Sequence, residues 1–520
     1  MKNIWSWILG LFMVLSFGGC QKKESQIDTV TINLGMDPPT LSCQAATKNQ
    51  VLIVIRHLSE GLTRINSSGE IEPALAEKIT VLDEGRRYHF VLRKNAQWAP
   101  GIPVKAQDFE RSYLKMLTKA AIAPMVDQLF TIKNARPIYQ GKMAPSALGL
   151  QVINDHEIQF ELEEPNPVFL NQLSTPLFFP IPEDYQPDAA SKVSCGAYYL
   201  KEWQREKQLV AEKNPDYWDA ENIKLERIVF TTIADAHTQF EMFNAGQLDW
   251  CGSPFLDIPE EAVGDLIAKG KLHNLKEAKV EMLVFNTRKG IFSNAKVRRA
   301  FSYAIDRPML VKQRIYTGSP AASFVPPTIM GQDTPYFPYY APEEAKALLK
   351  EGLEEMGLTM DALPKIKFLY FNKSPFPRRA QAIQAGWNKV LSVQADLIGL
   401  EWQMLVQTLL AGDFDVATAS WAADFPDPIN FLQLYRDLNG GRNYPAWEDG
   451  RYQHQLEMAL HSSSLTVRKN HLQQAERLLM DQMIIAPLSF PQSPYLCSDR
   501  LKNVFCNPLG YVDLRWAYVE

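Results

Sequence analysis

A chain of 520 residues is too long for a single hydrophobic core and has room for two or three domains. Its 46% hydrophobic and 22% charged residues describe an ordinary globular protein. With 54 Lys and Arg against 59 Asp and Glu, the net charge of −5 gives no electrostatic case for nucleic acid as a partner.

The first twenty residues read as a targeting segment. Lys2 supplies a positive start, residues 4–17 form an apolar stretch, and "FGGCQKK" sets two small residues before Cys20. The apolar stretch is shorter than the roughly 20 residues a membrane span needs. The pattern resembles a bacterial lipobox, with Phe17 where Leu is usual, and implies lipidation of Cys20 after removal of a signal peptide, 1–19. Residues 20–27 would then be a lipidated tether, held to the membrane by acyl chains that each contribute about 0.8 kcal/mol per buried CH₂. Export implies an oxidising compartment. Besides Cys20 there are Cys43, Cys195, Cys251, Cys497 and Cys506, an odd set that leaves at least one thiol unpaired within the chain. Cys497 and Cys506 are nearest in sequence and could close a short loop. No C-x-x-C spacing suggests zinc or thioredoxin chemistry.

Along the chain, "DTVTINLGMDPPTL" reads as a strand delivered into a loop, and "NQVLIVIRHLSEGL" as an apolar-periodic helix. A strand is expected at 88–93, a turn on Pro100-Gly101, and a helix over 105–117 with Asp108 in its first turn. "HEIQFELEEPNPVFLNQLS" gives a strand and a short helix, and "CGAYYLKEWQREKQLVAEK" two strands. "LERIVFTTIADAHTQFEMFNAGQLDW" is strand, helix and strand, a β-α-β unit that favours a partly parallel sheet. "EMLVFNT" is a strand, and "SNAKVRRAFSYAIDRPMLVKQRIY" a helix opened by Ser293 as N-cap. "KIKFLYF" is a strand, "PRRAQAIQAGWNKVLSVQADLIGL" mostly a helix and "FDVATASWAA" a strand. A long amphipathic helix over "VRKNHLQQAERLLMDQM" then precedes the apolar "IIAPLSF". The whole reads as α/β in at least two lobes.

Four phrases, "LRKNAQWAPGIPVKAQDFERSY", "CGAYYLKEW" with "NPDYWD", "VFNT" with "KVRRAFSYAIDR", and "FDVATASWAADFPDPINFL", together resemble the oligopeptide-binding group of extracytoplasmic solute-binding proteins of peptide ABC transporters. The resemblance implies a bilobed, type II periplasmic-binding-protein-like fold of the three-domain peptide-binding class, its lobes joined by two hinge strands. It implies a discontinuous lobe one (28–56, 190–279 and 497–520), an extra domain of that lobe (57–189) and lobe two (280–496). Trp98, Pro103 and Asp108 are expected to fix a turn and helix start, and Asp306 and Arg307 to serve a helix end.

A binder of varied peptides must hold what all peptides share, and strand addition supplies sequence-independent hydrogen bonds. "VATASWAA" fits that need with small residues, Ala417, Ala419, Ala422 and Ala423, around Trp421; a buried parallel strand would favour the same composition. The resemblance implies that Asp424 holds the peptide ammonium, with Ser420, Trp421, Ala422 and Ala423 beside the ligand. Asp427, between two prolines, is expected to cap a turn or helix. The loop 36–40 would form the opposite wall through Asp37, Pro38 and Pro39. Basic residues that relatives use for the ligand carboxylate are replaced here by Leu409 and Thr418, on the expected hairpin before the Trp motif, and a His by Pro377. Arg378 and Arg379 are nearby but read better as a solvated face. The implied partners are short peptides, permease subunits and the membrane, with no cofactor, no metal and a monomeric state.

Catalysis finds no support: His454, His461 and His471 show no H-E-x-x-H pattern, and no G-x-S-x-G elbow or P-loop occurs. The stronger rival is the same fold with another ligand, such as a murein-derived peptide, a dipeptide, a metal chelate or haem.

Overall fold

The computed structural model describes residues 28–520 apart from 67, 99–100, 119–120, 122, 184–185, 314, 316, 439–441 and 463. The signal peptide, Cys20, the tether and the turn at Pro100 therefore lie outside the described residues.

Two large sheets organise the chain. The first has seven strands in the order Tyr198–Gln204, Gln208–Lys213, Arg227–Thr231, Thr29–Asn33, Trp250–Gly252, Gln492–Cys497 and His273–Lys276. Thr29–Asn33 runs parallel to both Arg227–Thr231 and Trp250–Gly252. The β-α-β unit crosses over through helix Ala236–Asn244, which Asp235 caps by accepting from Thr238 N at 2.7 Å. The second sheet orders Ser319–Pro320, Ile485–Phe490, Lys279–Phe285, Val416–Ala422, Ile366–Phe371 and Ala395–Leu400. A smaller antiparallel sheet, Ala76–Leu82, Arg87–Leu92, Glu157–Glu161 and Leu150–Asn154, carries its own core. Its period-2 pattern is literal, since Tyr88, Phe90 and Leu92 are buried between half-exposed neighbours. Helix Ala106–Met116 covers this sheet. Asp108 accepts from Trp98 Nε1 and Lys105 N, so the Trp98 and Asp108 phrase builds a helix start as expected.

The chain passes between the two large sheets twice. Once it goes from His273–Lys276 through Glu277 and Ala278 into Lys279–Phe285. It returns from Ile485–Phe490 through Pro491 into Gln492–Cys497. Glu277 N donates to Pro491 O at 3.2 Å, so the two crossings are tied together. The result is an α/β, bilobed molecule hinged on two strands. The lobe boundary expected at 496 falls inside a strand: Gln492 already pairs with Lys276 in the first sheet.

Local corrections have local causes. Ser293 is not the N-cap; Asn294 is, accepting from Lys296 N and Val297 N. The helix expected through Tyr316 is two helices, Ala295–Tyr303 and Arg307–Lys312, because Asp306 caps a fresh start at Met309 N. Arg307 is fully buried and donates to the carbonyls of Pro487 and Ser302. "PRRAQ…LIGL" ends its helix at Leu391, where Ser392 turns left-handed, and resumes as strand Ala395–Leu400. Leu409 lies buried in helix Trp402–Ala411 rather than on a hairpin. Cys43, Cys195, Cys251, Cys497 and Cys506 are free thiols, so no bond joins Cys497 to Cys506.

Gly318 sits at φ +83°, and a Cβ there would collide with Phe490 O and lie 2.9 Å from Gln492 N. Gly318→Ala should therefore press on the Pro491 crossing and strain the backbone, lowering stability by about 2 kcal/mol in urea unfolding; an unchanged midpoint would refute this. Glu476, 1% exposed, accepts from Phe324 N, Val325 N and Tyr336 Oη. Burial pushes its carboxyl from 4.5 to about 7. The folded state thus binds the proton more tightly than the unfolded one, so this group's contribution to stability is full below pH 4.5 and is lost as pH rises towards 7. Glu476→Gln should flatten that slope, worth on the order of 2 kcal/mol, in denaturation midpoints measured from pH 4.5 to 7.5.

Candidate ligand-binding cleft

Where the two sheets face each other beside the hinge, a cavity of about 610 Å³ opens. The first lobe lines it with Cys43, Gln44, Thr47, Asn49, Pro254 and Tyr511, and the extra domain with Met125, Gln128 and Leu177. The second lobe contributes Lys279, Ala422, Ala423 and Asp424, and the hinge Glu277 and Ala278. A space walled by both lobes and floored by the crossings changes volume whenever the lobes rotate.

Strand Val416–Ala422 runs its full length against Lys279–Phe285, from Val416 opposite Phe285 to Ala422 opposite Lys279. On its other side Ile366–Phe371 pairs only with Val416 and Ala417. The remaining half therefore has a free edge. Ala423 N donates to Ala278 O at 2.8 Å. Antiparallel ladders alternate, so Trp421 and Ala419 also turn their backbone groups to the hinge strand, while Ser420 and Ala422 turn theirs to the open side. Ser420 and Ala422 are the exposed positions of this strand, and Val416, Ala417 and Thr418 are buried. The small residues thus serve two roles along one strand, core packing first and an open edge second.

The strand ends in a turn organised by Asn430, which is fully buried. Its Oδ1 accepts from Trp421 Nε1 at 2.9 Å and from Asp424 N at 3.3 Å, fixing the indole and the aspartate backbone together. The guanidinium of Arg442 lies 5.7 Å from the Trp421 ring centroid. Burial raises the Asp424 carboxyl above the usual aspartate range, with Asn430 and Arg442 working the other way and Asp127 adding to the rise. Asp427 accepts from Ile429 N, as its position among prolines suggests, and also forms a two-point pair with Arg468 at 2.8 Å for each bond.

Not all expected residues meet here. Asp37 takes a 3.0 Å bond from Trp203 Nε1 and stands 3.5 Å from Arg205, which also donates to Pro38 O. Neither Asp37, Pro38 nor Pro39 lines the cavity that holds Asp424; Cys43, Gln44, Ala46, Thr47 and Asn49 do so instead. Arg379, expected on a solvated face, is buried and pairs with Glu281 at 2.7 Å, while Arg378 is exposed. Asn430, Lys279 and Glu277 carry no spacing signal in the sequence. Only the free strand edge, once located, points to them.

The model of the bacterial extracellular solute-binding proteins, family 5, matches residues 70–443. The chain belongs to that family. It is 34% identical to the oligopeptide-binding protein OppA of Bacillus subtilis over 100% of both chains. It is 30% identical to the periplasmic murein peptide-binding protein MppA of Escherichia coli, over 87% of this chain and 86% of that one. The unliganded open form of a murein tripeptide-binding MppA superposes with a TM-score of 0.83 at 28% identity, covering 95% of this chain and 98% of that one. No helix among the described residues is long and apolar enough to cross a membrane.

Asn430→Ala would leave the Trp421 indole N–H without its acceptor and release the Asp424 amide. Stability should fall by about 2 kcal/mol, and hydrogen exchange of the 421–430 segment should accelerate. Unchanged exchange there would show that the turn does not depend on Asn430.

Proposed function

We propose that this family-5 protein is an extracytoplasmic substrate-binding component of an ABC importer that captures short peptides between its lobes. The observation that supports this most is the free edge at Ser420 and Ala422, which ends at a half-buried carboxylate inside the interlobe cavity. A peptide added to that edge gains backbone hydrogen bonds whatever its sequence. Its α-ammonium meets Asp424, a charge-assisted contact in a closing, drying space. A free N-terminus becomes nearly compulsory, because one buried charge left unpaired costs roughly 3–5 kcal/mol. The family assignment supports delivery to permease subunits. The lipobox-like "FGGC" supports anchoring through Cys20 of an otherwise monomeric protein. Residues 28–56, 190–276 and 492–520 would move as lobe one with its extra domain 57–189, and 279–490 as lobe two.

The likeness to a murein tripeptide-binding protein favours one second reading, a murein-derived peptide in the same cleft. Calorimetry with alanine peptides of two to six residues, each free and N-acetylated, separates the cases. Free peptides should bind about 100-fold more tightly than acetylated ones, the equivalent of roughly 3 kcal/mol. Asp424→Asn should erase that preference. Equal binding by acetylated peptides would remove the aspartate anchor, and binding of a murein tripeptide alone would install the second reading.

A further inference from the structure

The open edge of strand Val416–Ala422 has a far end as well as an Asp424 end. Strand Ile366–Phe371 runs parallel to it and pairs with it at Phe368 and Leu369, opposite Val416 and Ala417. The two strands then part, but Ile366–Phe371 does not leave the sheet. On its other side it stays paired with Ala395–Leu400 to its last residue, Phe371 opposite Leu400. Carried two residues past Leu369 and Ala417, the parallel register sets Phe371 level with Ala419. Ser420, Trp421, Ala422 and Ala423 separate that level from Asp424. This is a lane of about four residues, or roughly 13 Å of strand.

A ligand with its ammonium at Asp424 and its backbone on this edge runs antiparallel to Val416–Ala422, towards Phe371. It lies on the prolongation of Ile366–Phe371 and meets that strand end on. A tight turn closes the lane there: Asn372 N donates to Leu400 O at 2.9 Å, Lys373 N to Phe371 O at 2.8 Å and Phe376 N to Lys373 O at 3.0 Å. Helix Phe376–Leu391 then leads back over the sheet, where the Trp387 ring packs 5.2 Å from that of Phe368. The end of the lane is aromatic. The Phe371 ring lies 5.6 Å from Phe376 and 5.7 Å from Trp402, centre to centre. Trp402 is 55% exposed and Met404, on the same helix, 54%, so large apolar groups stand in water beside the strand end.

We propose, building on the peptide reading above, that the end of strand Ile366–Phe371 is a length stop. It limits an edge-bound peptide to about four residues and seats an apolar side chain near the peptide's end against Phe371, Phe376 and Trp402. A fifth residue has to leave the edge and give up its ladder hydrogen bonds, because the protein's own strand fills the lane ahead. Side chains of an added strand alternate between the two faces, so one of the last two points to the face that carries Phe371. There a ring covers apolar surface that alanine leaves wet. The substrate class is thus a tri- or tetrapeptide with a bulky apolar residue in one of its last two positions.

Calorimetry of the mature chain with free alanine peptides of two to seven residues tests the stop. Affinity should climb up to four residues and fall about tenfold at five, the equivalent of one forfeited backbone hydrogen bond. Either Ala-Ala-Phe-Ala or Ala-Ala-Ala-Phe should bind about fivefold more tightly than tetraalanine. Trp402→Ala should remove most of that gain, and because Trp402 is exposed the fold should survive. A tetrapeptide ending in the photoreactive p-benzoylphenylalanine should crosslink to 371–376 or to Trp402. Peptides of five to seven residues that bind as tightly as tetraalanine would overturn the stop and leave the peptide reading standing. Crosslinks confined to other segments, or no gain from either Phe peptide, would overturn the aromatic seat. If no alanine peptide binds, or N-acetylation costs nothing, Asp424 is not the start of the lane and the stop falls with the reading it rests on.

Discussion

The double crossing between the sheets is the constraint on which the rest depends. Glu277 and Ala278 carry the chain one way and Pro491 carries it back, with Glu277 N bound to Pro491 O. Linkers this short forbid the sheets to slide apart and leave rotation as the available motion. They also dictate where the cleft lies. The strand that emerges from the first crossing, Lys279–Phe285, is the partner of Val416–Ala422, so the open edge and Asp424 are set directly beside the pivot. A buried Glu281–Arg379 pair stands at the start of that strand. Such a pair adds little net stability over apolar packing, yet losing one partner is costly, which makes it a device for holding position.

Much of this was legible in the sequence, because most strands here alternate or form short apolar runs and several helices, such as Ala236–Asn244 and Gly450–Leu460, open on a capping aspartate. The β-α-β unit, the hairpin Tyr198–Gln204 with Gln208–Lys213, and the capping role of Asp427 could all be read from local chemistry. What escaped depends on partners far away in the chain. Asp37 looked like a wall of the site, but its carboxylate is taken up by Trp203 and Arg205. Arg379 looked solvated, since nothing in "PRRAQ" announces a glutamate on a strand 98 residues earlier. Asn430 sits in a proline-rich turn where asparagine is unremarkable; its double acceptor role exists only once Trp421 and the Asp424 amide converge. The chain reading also placed Leu409 on a hairpin, where the apolar stripe of helix Trp402–Ala411 buries it.

Asp424 and Asp427 show why position along a motif says less than the company a side chain keeps. They are three residues apart in one turn, yet their electrostatics diverge. Asp427 is saturated by protein: Arg468 makes two bonds to it, and Ile429 N donates a third. A carboxylate so satisfied is a strut, and no ligand could compete for it without breaking the turn. Asp424 has its backbone N–H held by Asn430, while its carboxyl is left in a half-buried place where burial opposes ionisation and Asn430 and the more distant Arg442 only partly offset it. The protein has therefore constrained where this charge stands without neutralising it. A group held rigidly in a charge state that its surroundings disfavour gains most from a cation brought from outside, and the interlobe cavity leaves room for that cation to arrive attached to a chain.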